Sequence, residues 1–311
     1  MSSPVGGQAV LEGVMMRGPK NWAVAVRKPD GEIANVCRVL ESTMARHRVL
    51  RLPVIRGVVA LGESLAIGFR ALAISANYAA AGDPEDAAQA EEIAEVKGEI
   101  SRMQMVIAFT VAIGFALALF KVTPVVLTDL LPISSTIWFV IVEGAIRVSI
   151  FIAYLVLISM LPDLKRVFQY HGAEHKAINA YEAGEELIPE RVQRFSLIHP
   201  RCGTAFLLWV MVIAIFVFAF VGRPAWYWLI ISRILLLPVI AGLAYELIRF
   251  AGRHTENRVL RVLLAPGLWL QRLTTREPSL DQLEVSIRAL KDVLDTEGPL
   301  TSAEERVEVM A

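Results

Sequence analysis

The chain of 311 residues carries 31 basic and 31 acidic side chains, so its formal net charge is zero, and its mean hydropathy is +0.52. Such a high hydropathy excludes an ordinary soluble enzyme, and a balanced charge without a basic face excludes nucleic acid as a partner. Residues 103–161 and 204–248 together hold only seven charged side chains. We therefore expect a membrane protein with substantial mass outside the bilayer.

The first 52 residues show the pattern of a β-hairpin. Apolar and polar positions alternate over Trp22–Arg27 and Glu32–Val39, and Pro29-Asp30-Gly31 lies between the two stretches. Alternation on both sides of a turn sequence predicts two paired strands. No basic region followed by an apolar core precedes Gly18, so we expect no signal peptide and insertion through internal helices.

Residues 53–80 are apolar but carry three charges, at Arg56, Glu63 and Arg70. Their spacing of seven places them on one stripe of a helix. This favours an amphipathic helix that lies on the membrane surface or re-enters it. A fifth span is the alternative, but it would move the basic first fifty residues outside the cell. An acidic, alanine-rich linker follows at Asp83–Glu99.

Four apolar stretches are long enough to cross roughly 30 Å of hydrocarbon as helices. They cover residues 103–127, 135–161, 204–222 and 225–248. Lys and Arg are absent from residues 122–134 but frequent in 1–102, in 162–203 and just after 248. Because basic residues near helix ends resist translocation, this distribution places both termini and the central loop in the cytosol of a multi-pass protein of the cell membrane.

The predicted fold class is mainly α: a polytopic membrane helix bundle of about four spans plus an amphipathic or re-entrant helix, with a small cytosolic α+β part. The lipid bilayer is its expected partner, and oligomerisation is left open. The predicted parts are an N-terminal hairpin region (1–52), an amphipathic helix with an acidic linker (53–102), a first transmembrane helix pair (103–161), a cytosolic histidine-rich loop (162–203), a second transmembrane pair (204–248) and cytosolic C-terminal helices (249–311).

The most specific motif is the H-x-x-E-H sequence at His171-Gly172-Ala173-Glu174-His175. On a helix, histidines four residues apart lie on one face, so both imidazoles can reach one divalent ion. Glu174 lies beside them, where it could handle a proton of metal-activated water. The spacing is that of inverted zincins. The motif therefore predicts a divalent metal site, most consistent with zinc, and Glu174 as its catalytic base.

Two further candidate ligands, His199 and Cys202, lie just before the third predicted span. If all four residues bind, the site is a closed tetrahedron of structural type, and if three bind, a position is left for catalysis. The sequence leaves both arrangements open. The second cysteine, Cys37, lies far from this segment, and two cysteines are too few for a disulfide framework.

Three other charged residues are candidates for the surroundings of the metal or for substrate binding. Glu182 lies seven residues after His175, roughly 10 Å along a helix axis, which is too far for a shared metal and favours a supporting role. Lys176 could contact an anionic group. Glu246, near the cytosolic end of the fourth predicted span, is the leading distant carboxylate for the site.

The intramembrane charges form a second candidate constellation: Glu143, Arg147 and Arg233. Ionisable residues in hydrocarbon normally pair or line a polar cavity. Glu143 and Arg147 are four residues apart, so they can form an ion pair on one helix face. A structural clamp that Arg233 could join is the favoured interpretation, and a polar path through the bundle is the alternative.

Four long motifs resemble the YqhQ-like bacterial membrane family. They are GGQAVLEGVMMRGP at 6–19, HGAEHKAINAYEAGEEL at 171–187, HPRCGT at 199–204 and PGLWLQRLTTREPSLDQLEVSI at 266–287. They occur in the same order across nearly the whole chain. The family is a domain of unknown function described as predicted metal-dependent enzymes, so the resemblance implies a metal site but no particular reaction. The positions that match its histidine-rich motifs are His171, Glu174, His175, His199 and Cys202.

These observations support three hypotheses. The first is a zinc hydrolase that acts at the cytosolic membrane face on a peptide or lipid-like substrate. The second is a non-enzymatic scaffold or assembly factor with a structural metal site. The third is a small-solute transporter that uses the intramembrane charges, which is weakened because four spans without an internal repeat offer no alternating-access pair.

Overall fold

The protein is mainly helical and contains one small antiparallel sheet. The computed structural model describes residues 5–40, 42–80, 102–222, 226–253 and 257–297. The acidic linker predicted over Asp83–Glu99 lies outside these residues. The four strands pair in the order β1-β2-β3-β4, and their bounds are β1 Gly6–Val10, β2 Gly13–Arg17, β3 Asn21–Arg27 and β4 Ile33–Val39.

The helices follow the sheet in the chain and continue to its described end. They are α1 (Thr43–Arg46), a 3-10 helix (Arg48–Arg51), α2 (Ile55–Ala80), α3 (Arg102–Leu117), a π-helical turn (Ala118–Val122), α4 (Thr123–Asp129), α5 (Thr136–Ser159), α6 (Pro162–Glu182), α7 (Pro189–Val192), α8 (Gly203–Val221), α9 (Trp226–Leu235), α10 (Leu237–Arg253), α11 (Arg258–Thr274) and α12 (Leu280–Glu297).

The hairpin predicted from the alternating pattern is formed by β3 and β4, whose register pairs Trp22 with Arg38. Gly31 in the connecting turn has a φ of +92°, a conformation that glycine adopts without a steric penalty. Antiparallel sheets often leave one face to water. Here helices cover both faces, because Met16 packs with α6 and α12 while the neighbouring Met15 packs with α2.

Within the described residues, four helical segments are long and apolar enough to cross a membrane, and they make this a multi-pass membrane protein. They are Ile55–Ala79, Thr110–Asp129, Thr136–Ser159 and Gly203–Val221. The last three coincide with the first three predicted spans. From Trp226 onward, the fourth predicted span (225–248) lies in two helices, α9 and α10, which are divided at Leu236. Pro238 explains the division, since proline lacks an N–H and crowds the preceding turn.

The helix α2 has the length of a span but is shared between the sheet and the bundle. Ile67, at its middle, and Ile74, in its second half, are buried in the cluster that contains the β-sheet residue Trp22. In its first half, Gly57 lies against Tyr245 of α10, where an added Cβ would come within 2.7 Å of the tyrosine side chain. The sheet therefore covers α2 from its middle onward, whereas α10 meets its beginning.

The intramembrane charges of α5 are paired. Arg147 forms an ion pair with Glu143, and both side chains are at most 2% exposed. The Arg147 Nε also donates to the Phe120 carbonyl oxygen at 3.1 Å, and its guanidinium lies 6.0 Å from the ring centre of Phe218. These contacts connect α5 to the π-helical turn and to α8, as expected of a clamp. The side chain of Arg233 lies outside the part of the chain that is described.

The terminal helix α12 packs on the sheet through the apolar face that its spacing predicts. Leu283, Ile287 and Leu290 are buried there against α6 and the strands. The helix begins with a reciprocal cap, because the Ser279 hydroxyl accepts from the Gln282 N–H and the Gln282 amide oxygen accepts from the Ser279 N–H. Such a capping box fixes the helix start.

Candidate metal centre

The candidate centre is built on α6, which begins at Pro162 immediately after the membrane helix α5. Proline at the first position of a helix costs no hydrogen bond and sets the backbone angle of the first turn. One face of α6 packs Ala173 and Ala177 against the sheet and α12. The helix places the motif residues with the predicted spacing, so that His175 lies about one turn after His171, with Glu174 directly before it.

Both histidine rings are held by main-chain carbonyl groups. The Nδ1 of His171 lies 2.8 Å from the Thr274 carbonyl oxygen, and the Nδ1 of His175 lies 2.6 Å from that of Leu197. A carbonyl oxygen only accepts hydrogen bonds, so each Nδ1 carries the proton and each Nε2 keeps a free lone pair. This arrangement orients the imidazoles of metal-binding histidines.

The third member of the group is Cys202. Its sulfur lies 3.3 Å from the Nε2 of His171, and the candidate ligand atoms of His171, His175 and Cys202 all lie within 4.8 Å of one another. The Nε2 of His175 is buried and has no hydrogen-bond partner among the described residues. Two imidazole nitrogens and a thiolate form a donor set that suits zinc, so this group could hold a metal ion.

A glycine allows the surrounding loop to approach α6. A Cβ on Gly172 would lie 2.1 Å from the Arg276 carbonyl oxygen and 2.9 Å from the Leu197 side chain. The Arg276 N–H also donates to the Phe168 carbonyl oxygen at 2.9 Å. Gly172 therefore lets the segment after α11 run directly along α6, next to the Thr274 carbonyl of α11 that holds His171.

His199 lies beside the group and not within it. The ring centres of His199 and His175 are 5.9 Å apart, but the Nε2 of His199 faces a Glu182 carboxylate oxygen at 3.5 Å. Its main chain is fixed by Gln271, whose amide oxygen accepts from the His199 N–H and whose amide nitrogen donates to the His199 carbonyl, both at 2.9 Å. Glu182 is also paired with Arg201.

The charges at the centre respond to burial. Burial lowers the pKa of His175, which favours the neutral ring that a metal ligand requires. For Glu182, burial acts to raise the pKa, but the hydrogen bond from His199 and the charge of Arg201 outweigh it and hold the pKa below its usual range. Glu182 thus remains ionised beside His199, and its supporting role at the site stays a prediction.

Glu174 is buried against the sheet, close to the histidines. A Cβ on Gly7 of β1 would lie 2.8 Å from the Cγ of Glu174, so the glycine leaves room for the carboxylate. Burial raises the pKa of Glu174 to about 7, and the His171 charge opposes this shift. Glu174 is not among the three residues whose ligand atoms group together, and its catalytic role remains a prediction.

Two residues expected near the site have other contacts. Lys176 donates to the Gln193 carbonyl oxygen and forms an ion pair with Glu277 at 2.8 Å, so it anchors a loop. It borders a cavity of about 440 Å³ lined by Lys176, Phe195, Ser196, Leu197, Ile198, Arg272, Thr275 and Glu277. The placement of Glu246 at the centre is wrong, since α10 packs along α2 and the carboxylate pairs with Arg56 and accepts from the Val54 N–H.

Sequence reasoning missed the residues that hold the loop. Asn179 donates to the carbonyl oxygens of Ser196 and Ile198 at 2.9 and 3.2 Å, and Gln271 fixes His199 from α11. Asn179 lies four residues after His175, a spacing that could have indicated it. The carbonyl groups of Thr274 and Leu197 carry no sequence signal, because every residue has one.

Together the fold and the centre define a helical membrane protein with a buried His-Cys group. The family described as Protein of unknown function (DUF1385) matches residues 52–296, and the chain belongs to that family. It is also similar to the Uncharacterized protein YqhQ of Bacillus subtilis (strain 168), with 33% identity over 295 residues that cover 94% of this chain and 93% of the relative. No solved structure matches the chain. The resemblance to the YqhQ-like family is confirmed, whereas these matches do not confirm metal dependence.

Proposed function

We propose that the protein is a zinc-dependent membrane enzyme whose His171, His175 and Cys202 hold the metal at the cytosolic face of the cell membrane. The observation that carries this proposal is the convergence of their ligand atoms within 4.8 Å, with both imidazole tautomers fixed by carbonyl groups. Catalytic zinc sites have three protein ligands, whereas structural sites have four. A bound ion would supply Lewis acidity toward a substrate and toward water.

Glu174 is the proposed general base. It lies three residues after His171 and directly before His175, is 1% exposed, and stands outside the ligand group. In a hydrolysis its carboxylate takes the proton of the attacking water and delivers it to the leaving group. The substrate class that fits a site next to a membrane helix is a peptide or a lipid-like molecule with an amide or ester bond.

The test compares product formation in three forms of the full chain in lipid nanodiscs. Each is incubated with a bacterial lipid extract and with a peptide mixture, and products are followed by mass spectrometry. We expect Glu174→Gln to lose about 10²–10⁴-fold of the rate while its zinc content is unchanged. The control Glu185→Gln, at a partly exposed carboxylate, keeps the wild-type rate. Equal rates in Glu174→Gln and wild type would exclude the proposed base.

A structural metal site in a scaffold protein is the second candidate. It is favoured by the position of the cluster, which joins α6 to the start of α8, and by the burial of His175 and Cys202 at 0% and 2% exposure. For this candidate, zinc is present and its removal lowers the unfolding temperature, but no form of the protein produces a product. The nanodisc assay therefore separates the two candidates.

A further inference from the structure

The helix α11 lies across one end of the membrane bundle. Its Gly267 contacts Ala205 and Trp209, which belong to the first two turns of α8. Its Leu270 is buried with Phe151 and Leu155, in the last three turns of α5. The end of α5 and the start of α8 are connected by residues 160–202, so both lie on the same side of the membrane. The helix α11 contacts them there and is therefore at a membrane boundary.

Leu264 extends the same contact to a third helix. It is buried in the cluster that contains Ile248 and Ala251, in the last two turns of α10. Because α11 meets the ends of three helices, it cannot run parallel to all of them through the bilayer. It is 17 residues long, about 26 Å at 1.5 Å per residue, and does not belong to the four long apolar segments of the described chain.

The outward side of α11 is apolar. Val259, Val262 and Trp269 are 75%, 74% and 54% exposed, and Pro266 between them is exposed as well. Their spacing of three and four residues forms one stripe along the helix. A contiguous exposed apolar stripe indicates an interaction surface, and the helix that carries this stripe packs on the membrane helices α5 and α8.

Basic residues border this stripe. Arg258 and Arg272 are exposed and lie 14 residues apart, which at 100° per residue places them within about 40° of each other around the helix. An apolar stripe with a tryptophan and an adjacent basic edge is the pattern of a helix in the plane of a bilayer: apolar groups enter the acyl-chain boundary and arginines meet phosphate groups.

We propose that α11 is an interfacial helix that binds the surface of a phospholipid bilayer, with its apolar stripe inserted and with Arg258 and Arg272 against anionic headgroups. Its last turn holds the candidate metal centre, because Gln271 fixes the main chain of His199 and the Thr274 carbonyl holds His171. The cluster is therefore carried at headgroup depth. Arg272 also lines the neighbouring cavity, which brings a bound headgroup next to the centre.

This proposal is independent of metal binding and is tested on the full chain in nanodiscs that contain phosphatidylglycerol. Nitroxide labels are placed at Val259→Cys or Val262→Cys in a Cys37→Ser background, with Lys291→Cys on the exposed side of α12 as the control. We expect the labels on α11 to collide with oxygen, which dissolves in the bilayer. Their collision rate with an aqueous nickel chelate should be at least several-fold lower than that of the control label. Nickel collision at both α11 positions equal to that at residue 291 would overturn the proposal.

The basic edge is tested by the lipids that the protein retains. The double variant Arg258→Gln/Arg272→Gln is purified beside wild type, and bound phosphatidylglycerol is counted by native mass spectrometry. The control Arg191→Gln removes an exposed arginine of α7, away from α11. We expect the double variant to retain at least twofold less phosphatidylglycerol than the control. Equal retention would overturn the role of the arginines.

Discussion

Two buried polar clusters of this protein differ in whether their polar atoms have hydrogen-bond partners among the described residues. In α5, Arg147 and Glu143 satisfy each other, and the Phe120 carbonyl accepts a further hydrogen bond from the arginine. At the other cluster, the Nε2 of His175 is buried with no hydrogen-bond partner among the described residues, although its Nδ1 is well held.

The difference separates a structural cluster from one that is arranged for a ligand. A buried polar group without a partner is costly, so native proteins keep few of them. The clamp in α5 is complete within the chain and needs nothing else. The Nε2 atoms of His171 and His175 and the sulfur of Cys202 instead lie close together, while each Nδ1 is held by a main-chain carbonyl group. This is the organisation that a metal ion completes.

The strongest way to break the clamp is Arg147→Met, because the substitution leaves Glu143 buried without its partner. Removing one member of a buried ion pair costs about 3–5 kcal/mol. We expect that loss in the free energy of unfolding, measured by SDS titration in mixed micelles. The double variant Glu143→Leu/Arg147→Met is expected to recover most of it. A single variant as stable as wild type would contradict the clamp.

At the candidate metal centre, Gln271→Ala removes the amide that pairs with both main-chain groups of His199. A buried group left unpaired costs about 1–3 kcal/mol, so we expect a loss of about 2–4 kcal/mol in the same titration. If Gln271→Ala matched wild type, the loop would not depend on this pairing.

A smaller loss of stability is expected from Gly172→Ala. The added methyl would meet the Arg276 carbonyl oxygen at 2.1 Å, and overpacking of this kind costs about 1–3 kcal/mol. The matched control is Gly62→Ala in α2, where a Cβ meets no atom within 4 Å and no loss is expected. Circular dichroism during thermal unfolding compares the two. Equal unfolding temperatures would show that the loop does not need the close approach.

Much of the fold could be predicted because its elements follow local patterns. Uncharged apolar runs identified three spans, and alternation around Gly31 identified the hairpin. Hydropathy did not register the helix interruption near Pro238, within the predicted span 225–248. The position of α2 between sheet and bundle depends on long-range packing of residues such as Ile67, which no local period encodes.

The candidate site was predictable in part for a similar reason. His171 and His175 share a helix, so their spacing alone brings them together, and Cys202 could be proposed from its residue type. The partners of Glu246 could not be predicted, because they depend on how α10 packs against α2. The carbonyl groups that fix the imidazoles are invisible in sequence, although they supply the strongest structural argument for a ligand site.

The central claim is that His171, His175 and Cys202 hold one metal ion, and elemental analysis of the purified full chain tests it most directly. We expect about one zinc per chain in wild type, retained in His47→Ala, whose histidine is exposed elsewhere in the chain. His175→Ala and Cys202→Ala should each lose most of it. Zinc absent from wild type after resupply, or retained in both ligand variants, would contradict the account.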